Sequence, residues 1–542
     1  MQVRLLLSVI GLLVSIYLCL PNKGRAETSG AYLAGQQALR AENFVEAASY
    51  LTEVLALDPD QPELRQSLVL ASALAGDLDA AALQAEPLLQ AGLQDEIPQL
   101  VTFVSLIRQV SFTDALQQLT ELPNPLIQEV GKVWIMASLG DFEAALRVLE
   151  DRSGSTAHRL LRSYLSGCLE FLRGQKRRAL EHFEFVAGMS SGLKKRALLA
   201  QVEILWSLGK KRDALDFLQD HKDFFHDYQL PTDNNLGLGL PKVLPRSTME
   251  GFAEAFHAMS YLLAEDSMQQ RRLLFRQISL SLAPHQPLLL LTMAQEFEQM
   301  GHTSQARGIY ETLRDDPHVG WFAHVELAYL NADAGDHEGA ILILMPFTQS
   351  AFQARESFRH MGNIYRMASQ FDEAVKAYEN ALMLSQNDDW LLYFVYAVAL
   401  ERSGQWPEAE RALKQALALE PDQPQVMNYL GYSWADQGVN LYDALQLLNA
   451  AVKLRPEDGF IMDSLAWAYF KLGRMDDALT TIEQARALEP SDPTITEHHG
   501  DILHAMGFWR QAGHMWERAR RSFEMKKDQE RVTEKLKGLP KL

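Results

Sequence analysis

The sequence predicts an all-α fold, a right-handed superhelical solenoid of about 14 helical hairpins. The main observation is an alanine that returns along most of the 542-residue chain with a repeat period of about 34 residues. Glycine turns precede many of these alanines, and a large apolar residue follows several of them by four positions. The recurring alanines are Ala47, Ala81, Ala115, Ala145, Ala179, Ala214, Ala306, Ala340, Ala374, Ala409, Ala444, Ala478 and Ala512.

Each repeat is expected to contain two helices joined by a tight turn. Gly140, Gly335 and Gly473 lie in such turns, and glycine readily takes the positive φ angle that ends a helix. The alanine then lies on the second helix, where a larger side chain would push the two helices apart. Tyr310 and Tyr378 follow their alanines by four residues and therefore share the same helical face.

Further positions repeat with the alanine. Prolines end several units because proline cannot continue a helix, and glycines mark the close-packed point of several first helices. These residues are Pro59, Pro421, Pro456, Pro490, Gly35, Gly362, Gly431 and Gly500. A small residue, an aromatic residue, a second small residue and a proline within each period resemble the tetratricopeptide repeat (TPR). The resemblance covers residues 29–520 and implies a solenoid that binds proteins.

The repeat is interrupted once, between Ala214 and Ala306. Residues 219–248 are rich in glycine, proline and asparagine, which favours an irregular joint, either functional or a plain connector. One degenerate unit follows, with Arg272 at the position of the small residue. The predicted segments are a signal peptide (1–26), an N-terminal arm of about six repeats (27–218), the joint (219–248), a C-terminal arm of about eight repeats with a degenerate first unit (249–520) and a basic capping tail (521–542).

The N-terminus is typical of an export signal. Residues 5–20 form an apolar run. Gly24 and Ala26 are small residues at the two positions that a signal peptidase reads, which predicts cleavage after Ala26. The alternative is an uncleaved inner-membrane anchor formed by residues 5–20, which would be the only membrane contact. Cys19 is not preceded by the small residues of a lipoprotein signal. We therefore expect an exported, periplasmic protein.

The composition and motifs argue against several classes of function. A net charge of −19 disfavours nucleic acid as a partner. Acidic pairs such as Asp476-Asp477 lie at helix starts, where the helix dipole explains them. His498, His499 and His504 lack the same-face spacing of a zinc site, and phosphate-binding loops and nucleophile elbows are absent from the sequence. The sequence thus predicts no enzyme, no cofactor and no metal site.

The predicted binding surface is a groove lined by the first helices of the C-terminal repeats. Asparagine and arginine can hold a peptide backbone or carboxylate, and tyrosine and tryptophan supply rigid contact area. The alternative, strongest for Tyr432 and Trp467, is that these residues pack between neighbouring repeats. The predicted exposed groove residues are Arg359, Asn363, Arg366, Asn428, Tyr432, Asp436, Phe460, Asp463, Trp467, Glu497, Asp501 and His504.

The C-terminal quarter carries a closer resemblance. Its motifs are Asn428 to Gly438, Asp458 to Phe460, Asp463 to Trp467 and His499 to Asp501. They are similar to exported proteobacterial TPR proteins that include the lipoprotein adaptor of a periplasmic carboxy-terminal processing protease. The resemblance implies a non-enzymatic adaptor that binds protein partners and recruits or activates a protease. Such an adaptor also helps to deliver cell-wall hydrolases to the protease as substrates. The alternative is an assembly or structural factor for envelope polysaccharide export or outer-membrane biogenesis.

Overall fold

Helices are the only regular secondary structure in the part of the chain whose structure is described. The computed structural model describes residues 24–151, 153–225, 228–231, 238–263, 268–350, 353–385 and 389–539. These segments contain helices and connecting turns but no strand, so the all-α prediction is confirmed. Residues 1–23 of the predicted signal peptide, residues 226–227 and 232–237 of the predicted joint, and residues 540–542 lie outside the described residues.

Internal contacts divide the chain into two compact units, Met1–Leu327 and Ala328–Leu542. Helices of the first unit are α1 (Gly24–Arg40), α2 (Phe44–Leu57), α3 (Pro62–Ala75), α4 (Leu78–Gln90), α5 (Glu96–Arg108), α6 (Phe112–Glu121), α7 (Pro125–Ser138), α8 (Phe142–Leu149), α9 (Thr156–Leu172), α10 (Lys176–Ala187), α11 (Lys194–Ser207), α12 (Lys211–Asp220), a 3₁₀ helix (Lys222–Phe224), α13 (Thr248–Ser260), α14 (Gln269–Leu282), α15 (Pro287–Gln299) and α16 (Thr303–Leu313). The division falls within α17 (Gly320–Asp333), beyond the joint that the sequence predicted.

The second unit continues the pattern of helical pairs. Its helices are α18 (His337–Leu344), a 3₁₀ helix (Met345–Gln349), α19 (Ala354–Met367), α20 (Phe371–Met383), α21 (Trp390–Arg402), α22 (Trp406–Leu419), α23 (Pro424–Gln437), α24 (Leu441–Leu454), α25 (Gly459–Lys471), α26 (Met475–Leu488), α27 (Pro493–Ala505), α28 (Trp509–Ser522) and α29 (Lys526–Lys537). In α19 to α28, the odd-numbered first helix packs against the even-numbered second helix that follows it.

The recurring alanine is fully buried in every hairpin that carries it. All 13 recurring alanines have an exposed fraction of 0%. Opposite them, glycines on the first helices leave room for large side chains of the second helices. A Cβ atom added at Gly362 would lie 2.5 Å from the ring of Tyr378, and one added at Gly500 would lie 2.5 Å from the ring of Trp516. The small residues therefore set the close approach of the two helices, as their spacing predicted.

The degenerate hairpin α13–α14 packs against the first helices of the preceding repeats. The ring centroids of Trp134 in α7 and Phe252 in α13 lie 6.3 Å apart. Gln277 in α14 donates a 3.0 Å hydrogen bond to the backbone oxygen of Leu74 at the end of α3. Every residue from Gly251 to Ser260 in α13 is buried. The sequence placed this unit in the C-terminal arm, whereas in the structure it covers the first helices of the N-terminal repeats.

A buried charge network joins α13 to those helices. Glu254 accepts hydrogen bonds from the Arg196 Nε atom at 2.7 Å and from the Tyr164 hydroxyl at 2.5 Å. Burial raises the pKa of Tyr164, as does the neighbouring Glu254. Arg196 has two nitrogens engaged by the same carboxylate, which satisfies a charge that would be costly to bury alone. The network thus specifies how α13 sits between α9 and α11.

The described end of the predicted joint is also anchored within the first unit. Glu203 in α11 accepts backbone hydrogen bonds from Val243 and Leu244, each at 2.9 Å, and forms an ion pair with Arg246. Both apolar side chains, Val243 and Leu244, are 2% exposed. This stretch before α13 is therefore packed against the repeats.

Candidate protein-binding surface

The 12 predicted groove residues lie on four first helices of the second unit, α19, α23, α25 and α27. We call the corresponding faces of the first helices α19 to α27 the first-helix surface. Helix α21 also contributes to it, although none of the 12 predicted residues lies there. Arg402 lies in the last turn of α21, one repeat period before Asp436. The repeat period alone would have identified Arg402 as an equivalent position.

Exposure separates the predicted residues into three groups. Arg366, Asp436, Phe460 and His504 are exposed, and Arg359, Asn363, Asn428, Tyr432 and Asp501 are partly exposed. The prediction of exposure is wrong for three residues: Asp463, Trp467 and Glu497 have exposed fractions of 6%, 9% and 1%. Their side chains are covered by the next first helix along the chain, as the following contacts show.

Acidic residues of the first-helix surface pair with basic side chains one repeat period later. The Nδ1 atom of His498 in α27 lies 2.9 Å from Asp463 in α25, the equivalent helix of the preceding repeat. Lys471 Nζ in α25 lies 3.7 Å from the Asp436 carboxylate in α23, again one repeat earlier. These pairs connect consecutive first helices, because one period of sequence separates equivalent positions.

The pairing continues into α29, which follows the last hairpin. Arg531 lies one repeat period after Glu497, and its Nη2 atom is 3.0 Å from the Glu497 carboxylate. Lys535 lies one repeat period after Asp501, and its Nζ atom is 2.6 Å from each of the Glu497 and Asp501 carboxylates. The acidic end of the first-helix surface is therefore neutralised within the chain.

Trp467 is part of the same contact between repeats. Its ring stacks on His498 with centroids 4.2 Å apart and an interplanar angle of 20°. Its Nε1 atom donates a 3.1 Å hydrogen bond to Asp436. Burial acts to lower the pKa of His498, but Asp463, Asp501 and Glu497 together outweigh burial and the pKa is raised. These contacts give Trp467 a packing role between neighbouring repeats.

A hydrogen-bonded network fixes Asn363 in α19. Its amide nitrogen donates to the Tyr329 hydroxyl at 3.0 Å, and its carbonyl oxygen accepts from the Tyr378 hydroxyl at 2.7 Å. Burial raises the pKa of Tyr378 to about 12, although a hydrogen bond with Arg366 acts to lower it. Tyr378 is therefore neutral at physiological pH, and the Asn363 side chain is held in one orientation.

Three arginines of this region differ in whether they form an ion pair. Arg359 is paired with Glu356, with 2.6 Å between Nε and the carboxylate. Arg366 and Arg402 are both exposed, and neither forms an ion pair with a carboxylate of the described residues. The guanidinium group of Arg402 lies 4.9 Å from the centroid of the Phe371 ring. Neither guanidinium group therefore has a carboxylate of the described residues within ion-pair distance.

Tyr429 in α23 lies within the influence of both exposed arginines. Its hydroxyl donates a 3.1 Å hydrogen bond to Glu401 in α21. Burial and Glu401 raise the pKa of Tyr429, while Arg402 and Arg366 act in the opposite direction. Arg366, Arg402 and Tyr429 therefore belong to one region of the first-helix surface, formed by α19, α21 and α23.

Within the described segments, no three side chains of histidine, cysteine, aspartate or glutamate come together as metal ligands would. No helix in those segments is both long enough and apolar enough to cross a bilayer.

Solved structures with similar helical repeats extend over most of the chain. The crystal structure of the APC/C hetero-tetramer Cut9–Hcn1 is 14% identical, with a TM-score of 0.39, and covers 94% of this chain and 96% of that one. The crystal structure of yeast Tom70 is 13% identical, with a TM-score of 0.37, and covers 94% of this chain and 95% of that one.

A curated bacterial relative matches a shorter stretch. TPR repeat-containing protein PA4667 of Pseudomonas aeruginosa is 31% identical over 132 residues, which make up 24% of this chain. The alignment spans 22% of the length of that relative.

A family model matches a larger part of the chain. The model is described as the Cilia and flagella-associated protein 70 C-terminal domain, a TPR domain, and it matches residues 254–535, just over half of the chain. Its range begins in α13 and ends in α29. With the buried alanines of the hairpins, this match shows that the chain belongs to the tetratricopeptide-repeat family described as the Cilia and flagella-associated protein 70 C-terminal domain.

Proposed function

We propose that this protein is a non-enzymatic scaffold or adaptor of the bacterial cell envelope that binds partner proteins on the first-helix surface of its second unit. A TPR fold is suited to protein binding, because its hairpins present many side chains on a preformed surface. The observation that carries the location is the pair Arg366 and Arg402, two exposed cations with no carboxylate partner among the described residues.

The chemistry of this region favours an acidic segment of a protein. A guanidinium group binds carboxylates through two parallel hydrogen bonds, and a fixed amide such as that of Asn363 reads a peptide backbone. Asn363 is oriented in advance by Tyr329 and Tyr378, so little side-chain entropy is lost when a partner binds. Tyr429 adds a rigid aromatic side chain beside the two cations.

The first unit offers less free surface of this kind. Helices α13 and α14 pack against its first helices through Phe252, Glu254 and Gln277. A partner would have to displace a helix whose residues from Gly251 to Ser260 are all buried. This difference supports placing the binding site on the second unit.

We further propose that the partners include a periplasmic processing protease and its cell-wall hydrolase substrates. The support is the resemblance of the C-terminal quarter to adaptors of such proteases. The alternative partners are components of envelope polysaccharide export or outer-membrane assembly, and the same experiment distinguishes the two. Export of the chain to the periplasm, or its anchoring by residues 5–20, is part of the proposal.

The test is affinity capture from envelope extracts with the full chain. We compare the wild type with Arg366→Glu/Arg402→Glu and with a control, Lys453→Glu/Arg510→Glu, which reverses two exposed charges on the second helices α24 and α28. Wild type and control should recover a serine protease and its hydrolase substrates, and the first variant should lose them. If Arg366→Glu/Arg402→Glu still recovers these partners, the proposed location of the binding site would be contradicted. Recovery of synthase or export components would contradict the protease assignment.

A further inference from the structure

Helix α29 occupies the position that the first helix of one more repeat would take. Arg531 and Lys535 lie one period after Glu497 and Asp501 and contact those carboxylates. Val532, between the two cations, has an exposed fraction of 0%. The helix therefore presents two cations and a small apolar side chain to the acidic end of the first-helix surface.

Few apolar contacts hold α29 in place. Val532 is its one buried residue, whereas α27 buries Ile495, Ile502 and Leu503. Beyond the helix, Leu539 packs near Gly513, where an added Cβ atom would lie 3.0 Å from its Cδ1 atom. A helix of 12 residues is marginal by itself in water. Its attachment depends largely on the charge pairs.

The surface under α29 requires a cationic occupant. The side chain of Glu497 is 2% exposed and that of Asp501 is 14% exposed, and both are paired with Lys535. Leaving a carboxylate buried without its cation costs more than the pair contributes. An apolar or acidic helix would therefore not replace α29, but another basic helix would.

We propose that Glu497 and Asp501 form a docking surface for a basic helix of a partner protein, and that α29 is its resident, displaceable occupant. The partner helix carries two cations four residues apart that flank a small apolar residue, as Arg531, Val532 and Lys535 do. This surface is distinct from the one at Arg366 and Arg402, so its test does not depend on the proposed function.

The probe is a labelled peptide of residues 523–539, added to the full chain. In Arg531→Glu/Lys535→Glu, like charges face Glu497 and Asp501, so the variant's own α29 should leave the surface. A site binds an added peptide only while its own helix is away, so its apparent affinity is proportional to the fraction of time that the site is open. The variant's site should be open more often, and it should bind the peptide at least about tenfold more tightly than the wild type does. The control Lys526→Glu/Lys537→Glu reverses two exposed cations of α29 and should bind the peptide as the wild type does.

Hydrogen exchange shows whether the variant is folded as intended. Protection should fall in residues 526–537 and persist in α27 and α28. Absence of tighter peptide binding with α27 and α28 intact would overturn the proposal, as would tight binding by the control. If α27 and α28 lose protection, Arg531→Gln/Lys535→Gln replaces the first variant, because it removes the attraction without adding repulsion. The proposal would again be overturned by the absence of tighter peptide binding or by tight binding of the control.

Discussion

The Nδ1 atom of His498 lies 2.9 Å from the Asp463 carboxylate, and the two residues occupy neighbouring first helices one repeat period apart. Trp467 stacks on the same imidazole ring at 4.2 Å. The contact joins an acid, a base and an aromatic ring from consecutive repeats. It shows that this part of the first-helix surface is held together by side chains rather than left open for a partner.

His498 should stabilise the second unit most at mildly acidic pH. Asp463 raises its pKa in the folded protein against the effect of burial. The stabilisation is complete below the unfolded pKa, about 6.5, and is lost as the pH rises through the folded pKa. His498→Gln should therefore lower the free energy of opening of α25–α27 more at pH 6 than at pH 8.5, measured by hydrogen exchange. A difference that grows with rising pH would contradict the pair.

The adjacent His499 should show the opposite pH dependence. Burial, followed by the nearby Arg486, lowers the pKa of His499 to about 4. Between pH 6.5 and 4 the unfolded state takes up a proton that the folded state does not, so the wild type loses stability relative to His499→Gln. Urea unfolding of both proteins at pH 7.5 and pH 5 measures this change. Equal pH dependence in the two proteins would show that His499 is not buried as described.

Loss of the Glu254 charge should loosen α13. Glu254→Gln leaves the buried Arg196 without its carboxylate, which we expect to cost about 3–5 kcal/mol. Hydrogen exchange of residues 248–260 should show the loss. Glu311→Gln, at an exposed acid on α16, is the control and should change little. Unchanged protection of α13 in Glu254→Gln would contradict the buried network.

The close approach of helices within a hairpin can be tested with two glycines. In Gly362→Ala, the new Cβ atom would lie 2.5 Å from the Tyr378 ring, so α19–α20 should be destabilised by about 1–3 kcal/mol. Gly308 in α16 has open space at the same point, and Gly308→Ala should stabilise its helix by about 0.5–1 kcal/mol. Local hydrogen exchange measures both. Equal effects of the two substitutions would argue against packing at Gly362.

The repeat pattern predicted the helices and the packing within each hairpin. The 13 recurring alanines are all fully buried, because one position per period must admit a close neighbour. A repeating sequence pattern can predict only contacts between residues that are close in sequence or one repeat apart. A search for opposite charges at the repeat period would also have found Asp463 with His498 and Asp501 with Lys535, and would have placed α29 as a further first helix.

The packing of α13–α14 had no such periodic signal. Gln277 contacts the backbone of Leu74, far outside its own repeat, and the same hairpin reaches Tyr164 and Arg196 through Glu254. These contacts follow from tertiary folding, so the spacing of the alanines could not indicate them. The local hint was composition: the segment Gly251 to Ser260 is rich in alanine and phenylalanine on all faces, which is typical of a fully buried helix.

The most direct test of the binding surface is hydrogen exchange of the full chain with and without its captured partner, the protein that the wild type recovers and Arg366→Glu/Arg402→Glu does not. Binding should increase protection in α19, α21 and α23 and leave α3, α7 and α9 unchanged, because α13 and α14 already cover the latter helices. Increased protection in α3, α7 and α9, or loss of protection in α13 when the partner binds, would show that the partner binds the first unit instead.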